Sequence, residues 1–436
     1  MSYQEFYKYR NHPLAKEGYK RAKKIIHFLY FWYPINRNFA LYRTQLKIIR
    51  DLLSLEEEIL WHKKEIDKLR KEASTIAQIS KSNLTDQLKI EISEKYSRAK
   101  EFEFNVQILK YFRWIFRYIG DGVAWRAFGY NREIIRALSD KQPVPFISNP
   151  QGLEKEMNFF LAIRKLGSSW LPVMHDSTNC LRTADFSVFK KGKLHRIIEL
   201  KIRKSSINNE KEVLHELKNK REIRQQKRLN DIFDFLETGD LGKLREELVE
   251  GRSISSEIPE FHNFEYISNA IRNARKTGYG FEEPERGLLY LAWNFTKYDT
   301  NKIIEKAVQQ FPHIFNSPLT FRSFGPCDDE KPYGLPITSM DMRPNHIIDL
   351  LFGNISVITF LNFKCLEENS KKLGIPLSIE KGNGNLRFYV KTNPVGEIRE
   401  GLLDRLLIEG LSMNSFFGLI NHILEEFEMK RSGELN

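Results

Sequence analysis

The stretch TADFSVFKKGKLHRIIELKIRK, Thr183 to Lys204, decides how the rest of the chain is read. Its apolar and aromatic residues suit two β-strands, and Gly192 stands midway between Asp185 and Glu199. With FKKGK as the turn, the two segments pair antiparallel and the two acids fall nearly opposite each other. Opposed residues point to one face, with Cβ atoms roughly 4.5–5.5 Å apart. Alternation puts Glu199, Lys201 and Arg203 on that face, with His195 on the same side. It puts Ile198, Leu200 and Ile202 on the other, joined by Phe186 and Val188. Asp185, Glu199 and Lys201 are therefore expected to form one polar patch backed by an apolar sheet face.

Two carboxylates at that spacing repel, so one takes a proton or a cation neutralises both. Oxygen ligands with open water positions suit Mg²⁺, or Mn²⁺ in its place. A lysine two residues beyond the acid points to the same place. It can orient or help deprotonate an attacking water and stabilise developing charge. Such a patch can cleave a phosphodiester.

Upstream of the hairpin, LEKEMNFFLAIRKLG (153–167) is an amphipathic helix ended by Gly167. Leu153, Met157, Phe160, Leu161 and Ile163 or Arg164 lie near its inner face. SWLPVMH (169–175) reads as a strand. Downstream, a basic helix is expected over about 209–236, and GLLYLAW (287–293) reads as a buried strand.

Asp185, the fourteen-residue step and Glu199-Leu200-Lys201 at the end of an apolar strand resemble the PD-(D/E)xK nuclease superfamily. Its core order of helix, three strands, helix and strand is followed over about 150–295. The resemblance implies a restriction-endonuclease-like fold and a Mg²⁺-dependent nuclease. Asp185 and Glu199 become metal ligands and Lys201 the catalytic lysine. A glutamate of the first helix often reaches toward the metal in this family; Glu156 fits best and Glu154 is the runner-up. Gln225 or Gln226 could match a glutamine that some members carry on the following helix. Ala184 stands where the family name has proline. The (D/E)xK triplet occurs four times, but only Glu199–Lys201 ends a β-rich run with an acid placed upstream. The resemblance points to DNA as substrate and to restriction, repair or antiphage defence as the setting, with defence preferred.

The charge distribution agrees with a polyanionic partner. The 436 residues carry a net charge of +12, and the excess is concentrated. Residues 1–50 hold eleven Lys/Arg against two acids, and residues 190–228 hold fourteen against five. Lys190, Lys191, Arg203, Lys204, Arg221 and Arg224 are the candidate phosphate contacts. Three scattered cysteines, Cys180, Cys327 and Cys365, argue against a disulfide framework and for a reducing, cytoplasmic setting. No paired Cys/His spacing suggests zinc. The apolar run Ile25–Tyr33 is nine residues long, too short to span a bilayer. A membrane partner is not expected.

Between the two basic regions, Leu52, Leu55, Ile59, His62, Ile66, Leu69, Ala73 and Ile76 recur at steps of three and four. This heptad seam predicts either an antiparallel helical hairpin with the next helical run or a dimerising coiled coil. Protomers or a partner protein would then meet through the helical region. Trp114, Trp125 and Tyr130 are expected in the core. KQPVPFISNPQG (141–152) is the expected boundary.

The expected fold class is mixed α+β. A basic, aromatic and helical region (1–145) precedes a nuclease-like domain (146–300) and a C-terminal α+β region (301–436). The expected activity is metal-dependent hydrolysis of nucleic acid. Its rivals are a non-enzymatic nucleic-acid-binding or scaffold protein with an inactive nuclease-like fold, and a membrane-surface protein using residues 20–43. His175 and Asp176 are read as loop residues that could support the site.

Overall fold

A computed structural model describes residues 10–79, 85–139, 150–198, 200, 260–294, 296–324, 334–375, 377–381, 386–390, 396–398 and 400–432. The chain is mixed α+β and forms two compact units. One comprises residues 1–130 and 134–240; the other comprises 131–133 and 241–436. The helical region and the hairpin of Thr183–Lys204 thus belong to one unit, instead of lying on two sides of a boundary at 141–152. Among the described residues, no helix is long and apolar enough to cross a membrane.

The first unit opens with α1 (Pro13–Trp32), α2 (Arg37–Ile79) and α3 (Asp86–Ala127). Helices α2 and α3 pair along their length, and α1 packs on both. Every expected seam residue from Leu52 to Ala73 is buried, and Ile76 is half-buried. Helix α3 of the same chain covers this seam, which is the intramolecular hairpin of the two alternatives. Ile25, Ile26 and Leu29, from the apolar run of the first helix, are buried too. Trp125 is buried as expected, and Trp114 stacks on Tyr118 at 5.3 Å. Tyr130 is instead exposed, at a positive φ of 63° in the turn after α3. Helix α4 (Arg132–Leu138) follows.

Helix α5 (Pro150–Lys165) then leads into an antiparallel sheet of β1 (Trp170–Met174), β2 (Phe186–Lys190) and β3 (Lys193–Ile198), in that order. Phe160 is buried against Tyr42 of α2, with stacked rings 5.0 Å apart, but Leu161 faces solvent. Phe159 meets Phe186 at 5.0 Å. The hairpin turns at Lys191 and Gly192, both at positive φ (51° and 78°). That pair of conformations matches the twist of the flanking strands and favours glycine at the second position. A bulge between Val188 and Phe189 shifts the register, which then runs to Phe186 opposite Ile198.

Strand β2 departs from the expected alternation of polar and apolar faces, since Phe186 to Phe189 are all buried. The cause is packing on both sides. Phe186 meets α5, whereas Phe189 packs edge-on against Phe128 at 4.9 Å. The open edge of β1 is closed by a side chain. Gln45 of α2, fully buried, donates to Pro172 O (3.0 Å) and accepts from Met174 N–H (3.1 Å), as a neighbouring strand would.

The second unit contains α6 (Phe264–Thr277), β4 (Tyr279–Glu285), β5 (Leu288–Trp293), α7 (Thr300–Gln310), α8 (Pro312–Phe315) and β6 (Leu319–Phe324). After these come α9 (Pro344–Phe352), β7 (Ser356–Asn362), α10 (Phe363–Lys372), β8 (Leu377–Lys381), β9 (Leu386–Val390), β10 (Gly396–Ile398), α11 (Glu400–Ile408) and α12 (Met413–Ser432). Its larger sheet is ordered β4-β5-β7-β6 and its smaller one β10-β9-β8. Strand β5 is the apolar run GLLYLAW, buried throughout as expected. It pairs antiparallel with β4 and β7, not with the β1–β3 sheet. This strand is therefore not part of the sheet that holds the hairpin, contrary to the expected extent of 150–295.

Candidate active site

The β1–β2 connection, His175 to Asp185, is pinned at several points. His175 is buried, with Nδ1 at 2.5 Å from Thr183 O and Nε2 at 2.8 Å from Ser187 Oγ. Burial lowers its pKa to about 4, so the ring is a neutral structural peg and not a proton carrier at pH 7. Its backbone N–H donates to Asp185 O at 2.9 Å. Helix α3 holds the connection from outside. Asp121 accepts the N–H groups of Asn179 (2.6 Å) and Cys180 (2.8 Å). Burial pushes its carboxyl up to about 7, against the pull of those N–H groups. Gly120 lets the helix approach closely; a Cβ there would stand 1.9 Å from Ser177 O.

Asp185 sits at the mouth of the hairpin, immediately before β2. Its N–H donates to Ile198 O (3.0 Å), and its carboxylate accepts the N–H of Leu200. The residue is thereby tied to the backbone on both sides of position 199, through its N–H on one side and its carboxylate on the other. Burial raises its pKa, and the Leu200 N–H partly offsets this. The preceding residue, Ala184, has φ 68°. Proline, locked near −65°, could not take that conformation. The departure from the family's proline is thus a different entry into the strand.

A second acid adjoins the first. Asp176, in a short 3₁₀ turn (His175–Ser177), is pushed up to about 6. Burial is the main cause; Arg117 opposes it and the charge of Asp185 adds to it. Arg117 of α3 is buried and donates through Nε to Asp176 O at 3.2 Å. Sequence reasoning read Asp176 as a loop residue that could support the site, and missed Arg117 and Asp121. Asp176 carried one readable signal, its position directly after a strand end beside the acid-bearing hairpin. Arg117 and Asp121 carried none within a long helical pattern.

The other expected site residues divide by location. Glu156 is half-buried on α5, one turn before Phe159 and Phe160. Lys190 and Lys191 are exposed at the far end of the hairpin, and the Lys190 ammonium lies over the Trp170 ring at 4.9 Å. Five strand residues separate them from Asp185, about 17 Å at the usual strand rise. They are therefore not part of the acid cluster. His195, near the same turn, packs against Trp170 at 5.2 Å. Glu199, Lys201, Arg203, Lys204, Arg221, Arg224, Gln225 and Gln226 lie outside the described residues, as do the side chain of Glu154 and the basic helix expected over 209–236.

A donor set for a divalent ion is only partly on view. Among the described residues, no group of three or more His, Cys, Asp or Glu side chains could hold a metal. Asp185 and Asp176 do fit one in kind: both are oxygen donors, and each is kept short of compensating positive charge. Cys180 and Cys365 are buried and unpaired.

The same unit carries a cationic face. Lys16, Lys20, Lys23 and Lys24 are exposed on α1 at helical spacing, while Glu17 is paired with Arg21 at 3.1 Å. Phe31 and Ile35 stand exposed near the end of this helix. No protein-family model, curated protein or solved structure matches the chain.

Proposed function

We propose that the protein is a metal-dependent nuclease whose site centres on Asp185, with DNA as substrate. One observation carries this reading: the half-buried carboxylate of Asp185, held by the Leu200 N–H while its own N–H bonds Ile198 O, lies in the field of a second half-buried carboxylate, Asp176. Two such acids cost stability while both are ionised, and a shared cation removes that cost. Asp185 and Glu199 would hold the ion, with Asp176 the further acid within electrostatic reach. A bound Mg²⁺ or Mn²⁺ would polarise the scissile phosphate and lower the pKa of a water. Lys201 would orient that water and stabilise charge developing on the phosphate. The lysine face of α1 would hold a nucleic-acid backbone without reading sequence. Antiphage defence is the setting this activity suits.

The test is plasmid cleavage by the full chain in Mg²⁺ or Mn²⁺. Asp185→Asn and Lys201→Ala are each expected to lose at least about 100-fold in rate while retaining DNA binding. In addition, Mg²⁺ should raise the thermal midpoint of the wild type and not of Asp185→Asn. Salt-sensitive binding with no cleavage in any divalent metal, and no midpoint shift, would favour the non-enzymatic binding protein. The exposed lysines of α1 favour that rival equally.

A further inference from the structure

The second unit has a cluster that the nuclease reading does not use. Helices α6 and α9 pack together, and Arg275 Nε of α6 lies 3.3 Å from Asp349 Oδ2 of α9. Side chains three residues apart share a helix face. On α6 that rule sets Arg272 one turn before Arg275. On α9 it sets His346 one turn before Asp349, and Arg343 is the extended residue just ahead of the helix. The two helices thus bring three guanidiniums and an imidazole together, against the carboxylates of Asp349 and, near Arg272, Glu282. The charged groups acting on the His346 ring are Arg275, Arg343 and Arg272, which agrees with this placement.

Two buried side-chain nitrogens in the cluster lack a hydrogen bond. His346 is 2% exposed, and its Nδ1 is buried with no hydrogen bond. Arg272 Nε is likewise buried and unbonded. Orphaned buried polar atoms are uncommon and point to a missing partner. That partner must accept hydrogen bonds, since a guanidinium can only donate. Burial and the arginines lower the His346 pKa to about 4, so the ring is neutral at pH 7. A neutral imidazole protonated on Nδ1 donates there as well. Burial raises the pKa of Glu282, the other acid near Arg272, and Arg272 opposes the rise.

We propose that the junction of α6 and α9, lined by Arg272, Arg275, Arg343 and His346, binds a phosphate-type oxyanion. Guanidinium forks match phosphate oxygens in pairs, and an oxyanion supplies acceptors and negative charge where arginines outnumber carboxylates. The phosphate could be a terminal monoester or a diester of a nucleic-acid backbone, and the two are separable.

The full chain carrying Asp185→Asn, in EDTA so that no cleavage intervenes, is titrated with inorganic phosphate and followed by ³¹P line broadening. Phosphate is expected to bind, and Arg272→Gln, Arg343→Gln and His346→Asn should each weaken it by roughly ten-fold or more. Lys371→Gln, on α10, should leave it unchanged. A second titration compares an oligonucleotide bearing a 5′-phosphate with the same strand ending in a hydroxyl. A preference for the phosphorylated strand that Arg343→Gln removes assigns the site to a terminal monoester. Equal binding of both strands that Arg343→Gln weakens assigns it to the backbone. No phosphate binding, or binding indifferent to all three substitutions in folded protein, overturns the proposal. Neither result depends on whether the Asp185 site cleaves DNA.

Discussion

Two desolvated acids, one in each unit, are treated in opposite ways. Glu409 of the second unit is fully enclosed and fully answered. Arg132 meets it with both terminal nitrogens, Arg405 Nε donates at 3.3 Å, and the Leu335 N–H donates at 3.0 Å. Burial alone would raise its pKa, but the two arginines and these bonds hold it below the ordinary 4.5. Asp176 of the first unit has one buried arginine nearby, a second acid in its field and a pKa pushed up to about 6. The first arrangement is a closed structural joint. The second leaves a deficit of positive charge that a cation can fill. Burial alone therefore does not distinguish the two acids; the completeness of their neutralisation does.

The largest effect expected from this contrast is at Glu409. Glu409→Ala takes the carboxylate from Arg132, leaves Arg405 with Glu260 alone, and should cost about 3–5 kcal/mol in urea unfolding. A variant as stable as the wild type would show that the joint is dispensable. Because the folded pKa is depressed, this stabilisation is complete above the unfolded value. It is lost as pH falls through the lower folded one. Glu409→Gln should flatten the acid limb of the stability curve accordingly.

Asp176 should behave in the reverse sense. Its folded pKa is raised, so the unfolded chain ionises first as pH rises through 3.8, and the folded protein resists until about 6. Stability falls between these values and stays low above them. Without divalent metal, Asp176→Asn should stabilise the protein at pH 8 by about 2–3 kcal/mol. The gain should vanish below about pH 4. Destabilisation at pH 8 would mean that Asp176 is a satisfied structural acid like Glu409.

Gly120→Ala tests whether α3 positions the acid-bearing connection. The added methyl meets Ser177 O, and relief requires helix and connection to part. Overpacking of this kind costs about 1–3 kcal/mol. The midpoint shift induced by Mg²⁺ should fall with it. An unchanged shift in a destabilised protein would separate the clamp from the site.

Much of this was legible in the sequence, for physical reasons that can be named. The seam Leu52–Ala73 was readable because one face of a helix repeats every three or four residues, and its burial follows. The hairpin was readable because a glycine turn between apolar segments fixes register, and Phe186 opposite Ile198 leads on to Asp185 and position 199. The partner of β5 was not readable. An apolar strand fits any buried sheet, and GLLYLAW joined β4 and β7 through pairings as distant as Leu288 with Leu361. The β2 alternation failed because helices cover both faces of its sheet. The clamp made by Asp121, Gly120 and Arg117 was hidden because its members are isolated residues in a regular helix, meaningful only through what they touch.

The smallest expected effect concerns the residue before Asp185. A left-handed conformation at a residue bearing Cβ costs about 1–2 kcal/mol, and glycine avoids it at the expense of greater unfolded-state entropy. Ala184→Gly should therefore stabilise the protein by up to about 1 kcal/mol at pH 8. Ala184→Pro should destabilise it by more than that, because proline cannot reach φ 68°. Cleavage in Ala184→Gly separates two roles for the strain. Unchanged activity makes the left-handed turn a cost of entering β2. A lower rate in a more stable protein would mean that the rigid alanine turn aims the carboxylate at position 199, and that Asp185 works only when held there.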